Sequence, residues 1–242
     1  MPDPIFAHPR LAAIYDTFDG DRDDLVAYLK LADELSAHSV LDVGCGTGSL
    51  AILLAGSGRI VVAVDPAEAS LAIARRKDPE QRVTWIHSDA TQLPALSADL
   101  AVMTGNVAQV FVTDGAWAQA LRALHAALRL GGHLVFETRR PEDRAWEEWT
   151  AETAAIGLDV PGTGQVERRL EVTDVSLPLV SFRSTYRFLD DDTVLISDST
   201  LRFRSQDELT RGLIAHGYRL KDVRDAPDRP GRELVFIAER AI

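Results

Sequence analysis

The sequence predicts an α/β fold: a doubly wound, mostly parallel sheet with a small antiparallel β insert in its second half. Three observations carry this. Short apolar runs alternate with helical patterns up to about residue 140, as in a parallel sheet covered by helices on both faces. A glycine-rich turn, Gly44-Cys45-Gly46-Thr47-Gly48, leaves the first of these runs and opens a helix. Beyond residue 142 the period changes to two, with Val180, Phe182, Ser184, Tyr186 and Phe188 alternating with Ser181, Arg183, Thr185 and Arg187.

The elements follow in order. Leu25, Leu29, Ala32 and Leu35 at helical spacing, behind Asp21, Asp23 and Asp24, predict a helix over 21–37. Ser39–Val43 and Ile60–Val64 read as buried strands, with a helix over Ser49–Ala55 between them. Strands at Val83–Ile86, Leu100–Thr104 and His133–Glu137 continue the alternation, with a helix over Gly115–Leu130. Alternation over 166–175, 180–188 and 193–203 predicts about three antiparallel strands, with Asp190-Asp191-Asp192 at a hairpin turn. Ser205 and Glu208 form a capping box, and Gly217 closes that helix. Leu220–Arg224 and Leu234–Ala238 flank a Pro/Gly turn and form a closing hairpin. The chain thus reads as one domain over 1–242, with the insert at 142–204.

Composition narrows the classes. At 242 residues and 46% apolar, the chain buries a full core without disulfides or a structural metal. Its one cysteine, Cys45, forbids an intrachain disulfide and suits a reducing, cytoplasmic setting. The net charge of −11 opposes phosphate backbones and anionic lipid, so neither nucleic acid nor membrane is an expected partner. No run is long and apolar enough to span a bilayer, and the N-terminus lacks the layout of a signal peptide. No histidine or cysteine spacing suits zinc, and the aspartates at 190–192 read as a solvated turn, so no metal is assigned.

The glycine turn lets a ligand approach the backbone, and the helix beyond it favours a negative ligand group. Asp65 ends the next strand, 21 positions past Gly44, where an acid takes ribose hydroxyls. A dinucleotide fingerprint would need glycine at position 49, but Ser49 stands there. The pattern is instead D-x-G-x-G-x-G, led by Asp42. With Asp65 and Asp89, this segment resembles the class I S-adenosylmethionine-dependent methyltransferases, and more narrowly their small-molecule branch. The resemblance covers about residues 10–140.

It implies a Rossmann-like, seven-stranded sheet whose last strand is antiparallel, and S-adenosylmethionine as cofactor. By the same resemblance the backbone of Gly44, Cys45, Gly46 and Gly48 holds the methionyl part and Asp42 the ammonium. Asp65, followed by Pro66, takes the ribose, Asp89 and Ala90 read adenine, and Thr104, Gly105 and Asn106 pass beside the sulfonium. Tyr15-Asp16, ahead of the first helix, resembles a pair that closes over the donor. Tyr15, Asn106, Arg139 and Tyr186 are candidates for the acceptor pocket, and Trp146 and Trp149 are read as core. No catalytic residue is assigned, because a sulfonium-activated methyl needs alignment more than a base. A small-molecule acceptor is the expected partner, with the chain a monomer or homodimer. A nucleic-acid or protein methyltransferase and a non-catalytic donor-binding module are the alternatives. The insert is expected to roof the acceptor, with Phe182, Tyr186 and Phe188 facing the cleft.

Overall fold

The computed structural model describes residues 1–20, 22–151 and 154–241. Helices α1 (Pro4–Ala7), α2 (Pro9–Asp19) and α3 (Leu25–Glu34) precede strand β1 (Ser39–Val43). Then follow α4 (Ser49–Gly56), β2 (Ile60–Asp65), α5 (Glu68–Lys77), β3 (Val83–His87), β4 (Ala98–Met103), α6 (Asp114–Ala127) and β5 (Leu128–Arg139). The second half holds α7 (Trp146–Ala151), β6 (Ile156–Val160), β7 (Gly164–Ser176), β8 (Leu179–Phe188), β9 (Thr193–Arg202), α8 (Gln206–Ala215), β10 (Tyr218–Asp225) and β11 (Glu233–Arg240).

Seven strands form the main sheet in the order β10-β11-β5-β4-β1-β2-β3. All are parallel except β11, which runs against both β5 and β10. The apolar strand runs follow from position, because β1, β4 and β5 have helices over both faces. Leu41, Val43, Met103 and Phe136 meet α6 and α8 on one side. Val40, Leu100, Val102 and Val135 meet α3 and α4 on the other. Each such side chain, fully buried, contributes roughly 1.5–3 kcal/mol. Asp42 breaks the apolar run of β1 and is itself buried.

Several boundaries differ from the sequence reading for local reasons. Pro4 and Pro9 stand at helix starts, where a missing N–H costs nothing, so two helices precede the one expected at 21–37. That helix begins at Leu25, because Asp24 is spent on Arg22 and does not cap it; Asp21 lies outside the described residues. Tyr15 and Asp16 are therefore inside α2 and not in a lead-in to the first helix. Ser205 caps α8 as expected, but the Glu208 carboxylate accepts from Arg202 instead of closing the box.

The insert is a separate sheet of four strands, β6-β7-β8-β9, where about three were expected. β6 escaped because it is mostly exposed, with Val160 its one buried residue, so burial imposes no alternation on its sequence. The expected cleft-facing side chains are already covered. Tyr186 and Phe188 pack on Leu11 and Ile14 of α2, with the Phe18 ring edge-on to Tyr186. Phe182 packs against Trp149. The insert thus holds α2 in place. At the hairpin, Asp191 accepts from Arg10 and Asp192 from Arg187.

Candidate functional site

A cavity of about 490 Å³ opens past the carboxyl ends of β1, β2 and β4. This is where open α/β sheets bind ligands. Its floor is the glycine turn after β1, and its walls bring together Tyr15, Asp42, Gly44, Cys45, Gly46, Asp65, Pro66, Asp89, Ala90, Thr104 and Gly105. Eleven of the side chains and backbone segments anticipated from sequence therefore meet in one place.

The glycines divide their roles. Gly46 has φ +54°, and nothing lies within 4 Å of where a Cβ would stand, so its backbone is bare at the cavity. Gly44, at φ +73°, lets Val107 approach to 2.6 Å of the same point. Gly48 does not line the cavity. A Cβ there would stand 2.5 Å from the Trp85 ring, so this glycine seats α4 on β3.

Asp42 is the exceptional group. It is fully buried on β1, an interior strand, and neither carboxylate oxygen has a hydrogen-bond partner among the described residues. Burial, with the neighbouring Asp65 charge, pushes it up to about 7. A buried unpaired carboxylate is costly and marks a place where a cation belongs. Asp65 is also raised by burial, against hydrogen bonds it accepts from Gly46 N and Ala67 N, each 2.8 Å. It therefore shapes the glycine turn as well as facing the cavity. Asp89 is exposed and accepts from the Thr91 backbone at 2.7 Å, while Ala90 is buried beside it. Burial holds the Cys45 thiol well above its usual range, which removes it as a nucleophile.

Other groups complete the enclosure, and apart from the Tyr15-Asp16 pair no motif announces them. Asp16 accepts from the Thr47 hydroxyl and from Lys77, tying α2 across the glycine turn. The Phe6 ring lies tilted against Tyr15 with centroids 5.4 Å apart, and Met1 to Asp3 line the rim. Arg22 lines the cavity and is the cation acting on Asp42. Glu137, buried at the end of β5, accepts from Gly105 N, from Asn106 N and from the Tyr28 hydroxyl. It fixes the turn after β4, where Asn106 takes φ +61°. The only sequence signal for it was an acid at the end of an apolar strand. Glu137→Ala leaves two backbone donors unpaired and is expected to lower stability by about 2–4 kcal/mol, measured by urea unfolding.

Besides Gly48, three predicted residues lie elsewhere. Asn106 is buried behind the cavity wall, donating to Glu233 at 3.3 Å. Tyr186 is in the insert core, as described above. Arg139 lines a second, smaller pocket of about 270 Å³. Trp146 is core against Phe203, as expected, and Trp149 is half-buried.

Residues 40–132 match the methyltransferase domain family. That segment, running from β1 into β5, is similar to a methyltransferase domain. Among relatives, a ubiquinone biosynthesis O-methyltransferase of Azotobacter vinelandii is 34% identical over 116 residues, 46% of this chain and 49% of its own. The chain spans about half the length of such relatives. The fold matches further. An S-adenosylmethionine-dependent methyltransferase of Clostridium acetobutylicum superposes with TM-score 0.77 at 16% identity, over 96% of this chain and 98% of its own. The sugar N-methyltransferase KedS8 of a Streptoalloteichus species gives 0.77 at 20% identity, over 94% and 93%. The family match ends at residue 132, within β5, so the insert lies outside it.

Proposed function

We propose that the protein transfers a methyl group from S-adenosylmethionine to a small-molecule acceptor. The observation that carries this is the unpartnered, buried Asp42 in a cavity that Asp65 and Asp89 also line, around a bare glycine turn. A donor with a sulfonium and an ammonium against one carboxylate is attracted by such walls. Asp42 would hold the ammonium, with Asp65 and Asp89 at ribose and adenine as the resemblance implies. Bound S-adenosylmethionine supplies a methyl already activated by positive sulfur.

The chain's own part is to bind, align and exclude water. The α2 strap, latched by Asp16 to Thr47 and Lys77, encloses the site. Glu137 sets the backbone after β4, so Thr104 and Gly105 present a fixed edge to the acceptor side. A small acceptor is supported by the enclosed cavity, by the net charge of −11, and by the sugar N-methyltransferase among its structural neighbours. Thr104-Gly105-Asn106-Val107 lacks the Asn/Asp-Pro-Pro-aromatic segment that resemblance associates with enzymes methylating base amines.

Titration calorimetry with S-adenosylmethionine and with NAD is expected to give binding for the first and none for the second. Tight NAD binding without donor binding would overturn the reading. A donor-dependent screen of cell extract for molecules gaining one methyl group then identifies the acceptor. A chain that binds donor and turns over nothing would be a binding module.

A further inference from the structure

The second pocket carries chemistry that the donor site does not use. It is lined by Arg139, Arg229, Arg232, Asp143, Glu233 and Trp149. Its three guanidiniums meet four carboxylates: Asp143 and Glu233 in the lining, and Glu148 and Asp228 on Arg232 and Arg229 beside it. Glu233 is divided between Arg229 at 2.7 Å and Arg139 at 3.5 Å, and it accepts from Asn106 as well. Arg232 is held by Asp143 at 3.2 Å and by Glu148.

Arg139 is the least satisfied of the three. Its side chain is 22% exposed, and burial lowers its basicity. One terminal nitrogen donates to Gln109 at 3.0 Å, and the other has no partner among the described residues. The guanidinium lies 5.3 Å over the Trp149 ring, which leaves its edge for in-plane hydrogen bonds. A planar fork with a free edge suits a carboxylate or a phosphate.

Position ties this pocket to the donor cavity. Gln109 lies in the short turn Val107–Val110, and Val107 and Val110 line the donor cavity from the other side. Arg139 ends β5, one strand over from the β4 end that carries Thr104 and Gly105. We infer that the pocket around Arg139, Arg232 and Trp149 is the subsite for an anionic group, carboxylate or phosphate, on the methyl acceptor. This rests on the methyltransferase reading, and it adds the acceptor's charge class.

The test uses the full chain labelled with nitrogen-15. Inorganic phosphate and acetate are titrated separately at constant ionic strength, and the indole N–H of Trp149 is followed, assigned with Trp149→Phe. A saturable shift is expected with at least one of the two, and which one distinguishes the sources. Arg139→Gln should weaken it tenfold or more while S-adenosylmethionine affinity by calorimetry stays within twofold. Arg232→Gln, farther from the β4 edge, should weaken it as well. No shift with either anion, or an equal shift in Arg139→Gln with dispersed spectra, overturns the subsite. Loss of donor binding in the unmodified chain would instead overturn the methyltransferase reading. The acceptor from the extract screen should be retained on an anion exchanger at neutral pH, and a neutral or cationic acceptor also overturns the proposal.

Discussion

Asp65→Ala is expected to weaken S-adenosylmethionine binding by about a hundredfold, or ~2.7 kcal/mol. Hydrogen bonds to a charged acceptor are worth roughly 1.5–3 kcal/mol. Sequence alone suggests a loss confined to the ribose, with the fold untouched. The structure adds a second loss. Asp65 accepts from Gly46 N and Ala67 N, so alanine unpairs two donors and frees the glycine turn. The variant should therefore also unfold at lower temperature, which calorimetric scanning measures. Unchanged donor affinity would show that the ribose is held elsewhere. Asp89→Ala, at an exposed position with Ala90 backbone beside it, should lose less than tenfold.

The second large effect is on pH. Asp42 sits at about 7 in the folded chain, against an ordinary value of 3.8. The folded state therefore keeps a proton, between about pH 4 and 7, that the unfolded chain has released. Stability that this group contributes falls as pH rises through that window, by at most ~4 kcal/mol. Donor affinity should move the opposite way. An ammonium needs the carboxylate, so binding strengthens as pH rises toward 7 and then levels, by up to about tenfold per pH unit below it. Calorimetry in buffers of different ionisation enthalpy should detect proton release on binding near pH 6.5. Asp42→Asn should flatten this dependence, lower donor affinity by about a hundredfold, and raise the melting temperature of the free protein at pH 8. A variant that loses affinity without flattening the pH profile would place the proton on another group.

The main sheet was legible because each strand is buried on two faces, so Ser39–Val43 and Ile60–Val64 had to be continuous apolar runs. The glycine turn and its acids were legible because backbone conformation and ligand chemistry both restrict residue type there. What escaped is set by long-range pairing. Glu137, Tyr28 and Asn106 are brought together from three elements, and no local pattern foretells their contact. Arg139 is a candidate for the acceptor pocket from sequence, but its neighbours Arg229 and Arg232 arrive from a turn almost a hundred residues away. Tyr186 was misread for a related reason. Alternation shows which side of a strand is apolar, and the identity of the covering element, α2, is not written in the strand.

That helix has a consequence for engineering. One face of α2 carries Tyr15 and the Asp16 latch onto the donor site, and another carries Leu11, Ile14 and Phe18 into the insert. The unit that would have to be exchanged to graft a new acceptor preference is therefore discontinuous: residues 9–19 together with 142–204. A chimera that moves 142–204 alone pairs a foreign sheet with the resident helix and opens a seam at Leu11 and Ile14. Directed evolution confined to the insert should accordingly return compensating substitutions near residue 14, far along the chain from any position between 142 and 204 that was randomised on purpose.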